Sequence, residues 1–381
     1  ALVLAAVRDR DVARVFVGRA GGRKVSVYRG VDVVEVGAGV SAAVSDDVLL
    51  AGQAAGVRSA IDLQRGRGRA LAGEPAFARG RIAGLDSRVV EAYATGAGAR
   101  GVLAPLAGPL ASLLSAGPDV EAIRAAVAPS RDGVRVRSRT VRRRGAPARA
   151  VFRPKLLHAA PGEAAGVLAL ASADPLVRRL PAAAPGLAAA ARAAGVDVER
   201  DLLAPLRGGE VVVWATRGDP VPGVALAART RDPARTREAL GRLQGAVAAQ
   251  LAPGEADAGQ VPLFEQREIA GVPAFVLRLA PGAQLVYAVF GDTVVLATGP
   301  DAIERVRRGG ARKRIGIPAN GVEAVLFIEP GQLLALGDLL GVTADPAVQA
   351  VRDDVSRIRA VSAVAQREET DTTAELLFQI P

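Results

Sequence analysis

The sequence predicts an α+β fold made of two tandem copies of one domain, with antiparallel sheets of short, hairpin-connected strands and interleaved helices. Residues 287–307 contain an apolar run, a polar turn, a second apolar run and then helical spacing, a pattern typical of strand, hairpin, strand and helix. Residues 42–62 repeat this pattern earlier in the chain. The repetition indicates a duplicated domain.

The composition limits the classes of site that the chain can carry. A chain of 381 residues is long enough for about two domains. Hydrophobic residues make up 50% and aromatic residues 3%, so the core is expected to consist of Ala, Val and Leu, and aromatic-lined sites are not expected. The absence of Cys excludes disulfides and cysteine zinc sites. The net charge of +10 favours anionic partners, although a general richness in Arg also accounts for it.

The first copy is predicted at residues 1–155, with its front part missing. It begins with an apolar strand at residues 2–7, and helical spacing follows with Asp11 as the expected N-cap. Short matches to the second copy occur in one order at separations of 221 to 245 residues, which is the length of a domain. They pair the helix starts at Asp11 and Asp232, the turns at Gly30 and Gly271, the turns at Asp47 and Asp292, residues 90–92 with 322–324, and residues 120–124 with 348–352.

The second copy is predicted at residues 156–381 as a complete domain. Its expected elements are a strand at 167–171, a helix capped by Asp174, a helix at 187–194, strands at 211–215 and 224–228, a helix with Asp232 as cap and Pro233 in first position, a linker at 252–259, and strands near Val261, Phe275, Leu285 and Val294. The strands at 211–215 and 224–228 are expected to pair. Because the first copy lacks a counterpart of residues 156–222, the edge of its first strand is expected to be unpaired and prone to recruit another chain.

Four segments of the second copy carry a family resemblance. They are residues 197–203, 206–210, 231–234 and 294–298. Together they resemble the bacterial domain-of-unknown-function family 3352, and the resemblance extends over nearly the whole chain. It implies a protein that is exported or anchored to a membrane through an N-terminal segment. It implies no catalytic residues, because the family has no established activity.

Two glycine-rich patterns and one apolar window have competing interpretations. Residues 96–101, with glycines at the first, third and sixth positions, suggest a dinucleotide-binding turn, but the corresponding residues 329–332 lack the pattern, which favours chance. Residues 37–39 are interpreted as a hairpin turn. The uncharged window at 101–118 is long enough to span a bilayer, but Pro105 and Pro109 favour a broken amphipathic helix.

The candidate catalytic and metal-binding residues are few. His158 is the only histidine, so a histidine metal site or a nucleophilic triad is not expected. Adjacent carboxylates occur at residues 46–47, 353–354 and 368–369, and they are interpreted as solvated turns rather than as general acids or cation ligands. No catalytic residue, cofactor or metal is therefore predicted.

The strongest local feature is a basic stretch at residues 131–155, with ten basic residues and one acidic residue. Its arginines alternate, so a strand would align them on one face, with residues 142–144 at the following turn. The predicted anion-binding face consists of Arg135, Arg137, Arg139, Arg142, Arg143 and Arg144. The alternative is a solvated hairpin. Nucleic acid is an unlikely partner, since Phe152 is the only aromatic residue available for base stacking.

These observations favour a non-enzymatic extracytoplasmic module that binds or scaffolds a component of the cell envelope. The expected partners are an anionic polymer or an anionic lipid surface. An alternative is a carrier that holds an apolar ligand such as a lipid between sheet and helices. A hydrolase is a more distant alternative, and it would need several titratable side chains converging in one cleft.

Overall fold

The computed structural model describes most of the chain and divides into two compact units. The first unit comprises Ala1–Ala126 and Ser138–Ala146, and the second comprises Val127–Arg137 and Pro147–Pro381. Residues 127–137 and 147–155, which the sequence prediction assigned to the first domain, thus belong to the second unit. The described residues are 2–19, 23–37, 39–85, 87–103, 118–174, 185–218, 221–251, 263–308, 321–339, 343, 346–369 and 371–380.

The first unit contains a five-strand antiparallel sheet. Its strands are β1 Leu2–Ala6, β2 Arg23–Tyr28, β3 Val31–Gly37, β4 Val40–Ser45 and β5 Val48–Gln53, in the spatial order β1-β5-β4-β3-β2. Helix α1 (Arg10–Arg19) connects β1 to β2, and helix α2 (Ala54–Gln64) follows β5. The fully buried Val57 and Ile61 of α2 pack on the sheet at Leu50, because their spacing places them on one side of the helix.

A second group of elements completes the first unit. These are α3 Pro75–Arg79, β6 Val90–Thr95, α4 Gly96–Leu103 and the near ends of β7 Val120–Ser130 and β8 Gly133–Arg142. Ala76, Ala122 and Val141 form their buried core. Phe77 and Tyr93 pack edge to face beside it, with ring centroids 5.3 Å apart.

The second unit is built on a larger antiparallel sheet. Its strands are β9 Gly166–Leu170, β10 Val211–Thr216, β11 Gly223–Arg229, β12 Glu265–Ile269, β13 Val272–Ala280, β14 Ala283–Phe290, β15 Thr293–Ala297, β16 Val322–Ile328, β17 Ala360–Glu368 and β18 Asp371–Gln379. The spatial order is β12-β13-β14-β15-β11-β10-β9-β16-β17-β18, and the tip of β8 lies next to β18.

Helices cover both faces of this sheet. They are α5 Pro185–Ala193, α6 Pro233–Leu251, α7 Asp301–Arg308, α8 Pro330–Leu339 and α9 Pro346–Ser356. Ile303 of α7 is fully buried against Val286 and Val295 on one face. On the other face, Leu240 of α6 packs with Leu203 of the short helical segment that precedes β10. Alanine and valine make up most of this core, as the composition predicts.

The structure confirms the α+β class and most of the predicted elements. Both starting patterns are a strand, a hairpin, a strand and a helix, formed by β4, β5 and α2 and by β14, β15 and α7. β10 pairs antiparallel with β11, with Val213 opposite Leu226, as predicted. Asp232 caps α6 through the N–H of Arg235, at 3.0 Å.

One predicted helix cap and one predicted repeat match were wrong. The N-cap of α1 is Asp9, whose Oδ1 accepts the N–H groups of Asp11 and Val12, because the helix already begins at Arg10. The match of residues 120–124 with 348–352 pairs a strand with a helix, since the first lies in β7 and the second in α9. Short similar sequences in an alanine-rich and arginine-rich chain therefore do not establish that two segments have the same structure.

Some predicted features lie outside the described residues. They are the helix after Asp174, the linker at 252–259, the strand near Val261 and most of the apolar window at 101–118. Among the described residues, no helix combines the length and the apolar character that crossing a membrane requires.

The five-strand sheet of the first unit and strands β11 to β15 share one order and one register. The second set runs β11-β15-β14-β13-β12, with Leu4 opposite Leu50 in the first unit and Ala227 opposite Val295 in the second. The hairpin turn at Arg29 and Gly30 has φ values of 49° and 78°, and the turn at Ala270 and Gly271 has 53° and 76°. Two consecutive residues with positive φ form the tight hairpin turn that suits the strand twist.

Candidate functional site

The six predicted arginines do not form one site within one unit. Arg135 and Arg137 belong to the second unit, whereas Arg139, Arg142, Arg143 and Arg144 belong to the first. Arg135, Arg137 and Arg139 lie on β8, where their alternation puts them on one face of the strand, as the sequence predicts.

Arg135 and Arg137 share a carboxylate on the neighbouring strand. Arg137 Nε donates to Glu375 Oε2 at 3.1 Å, and Arg135 Nε lies 3.4 Å from Glu375 Oε1. The side chain of Arg137 is about a quarter exposed. Because one carboxylate partly neutralises two guanidinium groups at this place, the pair offers an anion less attraction than the count of arginines suggests.

Arg142 is buried, which contradicts its predicted place at the turn. Its side chain is 5% exposed, and its Nε donates to Asp119 Oδ2 at 2.7 Å. Arg142 lies three positions after Arg139, and since strand side chains alternate, the two point to opposite faces. The backbone carbonyl of Asp119 also accepts the N–H of Arg143, at 2.8 Å. Arg142 and Asp119 thus hold the end of the hairpin and are not available to a ligand.

Arg143 and Arg144 are the exposed members of the predicted face. They lie at the turn after β8, where the N–H of Ala146 donates to the carbonyl of Arg143 at 3.0 Å. Two adjacent exposed guanidinium groups are suited to an anionic surface, because each can donate two parallel hydrogen bonds to a phosphate or a carboxylate.

The glycine patterns have structural roles. Gly96 is the first residue of α4, and a Cβ there would lie 1.9 Å from the backbone oxygen of Val120. The pattern at 96–101 therefore lies inside a helix that packs closely on β7, not in a loop before a helix. Gly37 and Gly39 have φ values of 137° and 79° in the hairpin between β3 and β4, which agrees with the interpretation as a turn.

The histidine and the paired carboxylates have local partners. His158 lies on a short 3₁₀-helix, Leu156–Ala159, with its Nδ1 against the carbonyl of Lys155. Asp47 binds Arg10 at 2.8 Å beside a hairpin turn, and Asp354 lies 3.7 Å from Arg357 on α9. Over the described ranges, no group of three or more histidine and carboxylate side chains is placed to hold a metal ion.

The sequence analysis missed the buried carboxylates of the second unit, among them Asp201 and Glu210. Asp201 is 2% exposed and accepts hydrogen bonds from Arg200 and Arg235, which hold its pKa well below the usual range. Glu210 accepts the N–H of Leu156 at 2.8 Å, and burial raises its pKa. Each joins segments that are distant in sequence. The adjacent charges of Arg200 and Asp201 could have indicated an ion pair from the sequence, but the second partner, Arg235 on α6, could not be found by spacing.

The first unit exposes a group of apolar side chains that the sequence analysis also missed. Val3 and Leu4 of β1 are each 62% exposed, and Phe16 of α1 is 65% exposed. Val12 and Val15 lie beside Phe16 at helical spacing and are also exposed. Val3 and Leu4 are neighbours on a strand and point to opposite faces of the sheet, so they flank the edge of β1 on both sides. We call this edge with its two side chains, together with Val12, Val15 and Phe16 of α1, the β1–α1 surface. Five apolar side chains on two adjacent elements are unusual in water without a partner.

A groove of about 530 Å³ lies between α5 and α6 in the second unit. It is lined by Ala190, Ala193, Ala194, Ala246, Ala249 and Gln250. The groove opens to solvent between two helices, whereas the predicted carrier cavity was between sheet and helices.

Comparisons with known proteins give distant structural similarity only. No protein-family model matches the sequence, and no curated protein matches it. Crystal form I of a protein named TP0453 is 10% identical with a TM-score of 0.29, over 60% of this chain and 79% of that chain. Crystal form III of TP0453 is 11% identical with a TM-score of 0.29, over 58% and 79%. Similarity at this level does not bear on the fold or the function of the chain.

Proposed function

We propose that the chain is a non-enzymatic binding or scaffolding module of the cell envelope, composed of two copies of one domain. The observation that carries the proposal is the common order and register of β1 to β5 and β11 to β15. Duplication places two rigid sheets in one chain, which suits a protein that presents binding surfaces. The location outside the cytoplasm rests on the family resemblance of the four sequence segments.

The pairing of two aspartates with arginines supports a non-enzymatic role. Asp201 is neutralised by Arg200 and Arg235, and Asp338 is held by Arg352 at 2.6 Å. A general acid or base needs a pKa near the operating pH, but these contacts lower the pKa of both aspartates. Their chemistry therefore favours structural ion pairs over proton transfer.

The exposed pair Arg143 and Arg144 is the proposed contact with an anionic surface. The test is sedimentation of the protein with vesicles of phosphatidylglycerol or of phosphatidylcholine over a series of salt concentrations. We expect binding to phosphatidylglycerol alone, with a loss at high salt because exposed charges are screened. The double variant Arg143→Gln with Arg144→Gln should bind less.

The matched control removes the same charge elsewhere in the first unit. Arg65 and Arg67 are exposed after α2, and their replacement by Gln should leave vesicle binding unchanged. Equal losses in both double variants would show a general charge effect. No loss in either would contradict a contact at Arg143 and Arg144.

The carrier remains the second candidate, and the groove between α5 and α6 is the observation that favours it. Its alanine lining is apolar, as a lipid chain requires, but fully buried residues such as Val212 and Ala274 fill the space between sheet and helices. Native mass measurement and lipid extraction on protein purified from its own host distinguish the candidates. A copurifying lipid in stoichiometric amount would support the carrier over the scaffold.

A further inference from the structure

Within the part of the chain that the structure describes, the β1 edge of the five-strand sheet in the first unit has no partner strand. Within the described residues, β1 pairs with β5 alone, so one row of its backbone N–H and C=O groups faces outward. Such an edge is a template for another strand. Leu4, which points to the side of the sheet that α2 covers, and Phe16 on α1 both add exposed apolar side chains near that edge, so the β1–α1 surface combines backbone and apolar docking groups.

Positions in the second unit correspond to this surface residue by residue. Asp9 caps α1 at the N–H of Val12, and Asp232 caps α6 at the N–H of Arg235, each at 3.0 Å. Leu4 precedes its cap by five residues, as Ala227 does, and both strand pairings have the same register. Phe16 lies seven residues after Asp9, and Ala239 lies seven residues after Asp232, so these two positions correspond.

Those corresponding positions are covered in the second unit. β10 pairs antiparallel along the edge of β11, and Ala227 is fully buried. Ala239 is also fully buried, in a cluster with Val196 and with Leu202 of the segment that leads into β10. Residues 196–216 thus form one continuous cover, a helical turn followed by a strand. The second unit therefore shows that a helical turn followed by a strand can cover a surface like the β1–α1 surface.

We propose that the β1–α1 surface docks a polypeptide segment of this design, in which an apolar helical turn leads into a strand that pairs antiparallel with β1. Strand addition supplies main-chain hydrogen bonds, and apolar contacts around α1 supply specificity. Because Phe16 is larger than Ala239, the segment carries small side chains opposite it. The inference deepens the proposed binding role by naming the chemistry of the partner, and it rests on that role.

The probe is a fluorescent synthetic peptide of residues 196–216 that carries Asp201→Leu. The substitution is needed because Arg235, one of the two ion-pair partners of Asp201, corresponds to Val12, so the aspartate would be buried with only Arg200 of the peptide beside it. We expect saturable binding to the full 381-residue chain by fluorescence anisotropy. Bound peptide should also slow the hydrogen exchange of amides in Leu2–Ala6, since strand pairing protects them. A peptide with Val213→Pro should not bind.

Three variants of the chain locate the site. Leu4→Glu and Phe16→Glu should each weaken peptide binding at least about tenfold, because a buried apolar contact is replaced by a charge. Val27→Glu is the matched control, since Val27 is 59% exposed on β2 at the other edge of the same sheet. Thermal melts check that all three variants remain folded. An equal loss in the Val27 variant would overturn the proposal.

Other outcomes assign the surface to a different occupant. If the chain dimerises without peptide and Leu4→Glu abolishes the dimer, the occupant is a second copy and the proposal is wrong. If Phe16→Glu abolishes vesicle binding and the peptide does not bind, the surface contacts a membrane and the proposal is wrong. Failure of peptide binding with intact vesicle binding through Arg143 and Arg144 would refute the docking alone and leave the proposed function standing.

Discussion

Replacing Gly96 with alanine is expected to destabilise the first unit by about 2 kcal/mol. The added Cβ would lie 1.9 Å from the backbone oxygen of Val120, more than 1 Å inside the closest approach of about 3.0 Å that Cβ atoms make. A backbone oxygen in a strand cannot rotate away, so α4 must move off β7. Overpacking of this kind costs about 1–3 kcal/mol, partly offset by the better helix propensity of alanine.

Thermal and urea unfolding of the full chain measure this effect. A loss of about 2 kcal/mol should lower the melting temperature by roughly 4–8 °C. The control is Gly18→Ala in α1, whose Cβ would have no atom within 4 Å. It should change stability by less than about 1 kcal/mol. Equal melting temperatures for the wild type and Gly96→Ala would refute the packing argument.

Four further substitutions test other parts of the structure. Arg142→Gln should cost about 1–3 kcal/mol in urea unfolding because Asp119 loses its charged partner, and an unchanged midpoint would contradict this. Asp338 has its pKa lowered to about 2 by Arg352, so the ion pair stabilises the fold above the ordinary aspartate pKa of about 4 and is lost as pH falls toward 2. Stability measured between pH 7 and 2 should therefore fall more in the wild type than in Asp338→Asn. Ala239→Phe should destabilise the second unit by about 1–3 kcal/mol, whereas Phe16→Ala should change stability by less than about 0.5 kcal/mol. Similar losses of stability in the two variants would contradict the different burial of Ala239 and Phe16.

The sequence predicts hairpins well because their signals are local. Turn residues such as Gly30 and Asp292 lie between alternating apolar residues, and the structure places a hairpin at each. β12 was missed because its five residues include three charged ones, and an edge strand needs no apolar face. The cap of α1 was misplaced because two aspartates lie two residues apart at the start of the helix.

The candidate site was less predictable because its contacts are not local. Arg137 and Glu375 are 238 residues apart, and no spacing rule joins them. The burial of Arg142 depends on the face of β8 that packs on the first unit, which alternation alone does not reveal. The exposure of Phe16 was not predicted because its local spacing indicates the opposite. An apolar residue at helical spacing predicts a buried side chain, but within the described residues no neighbour covers it.

The division of the chain into two units determines what a single proteolytic cut does to the protein. The backbone passes from one unit to the other after residues 126, 137 and 146. In the second unit, Asp132 accepts the N–H of Ile380 at 3.3 Å, and Arg137 binds Glu375. A single proteolytic cut within residues 147–155 therefore leaves the tip of the β7–β8 hairpin seated beside β18. The two fragments should elute together and separate only in denaturant, so the molecule would behave as a natural system for fragment complementation.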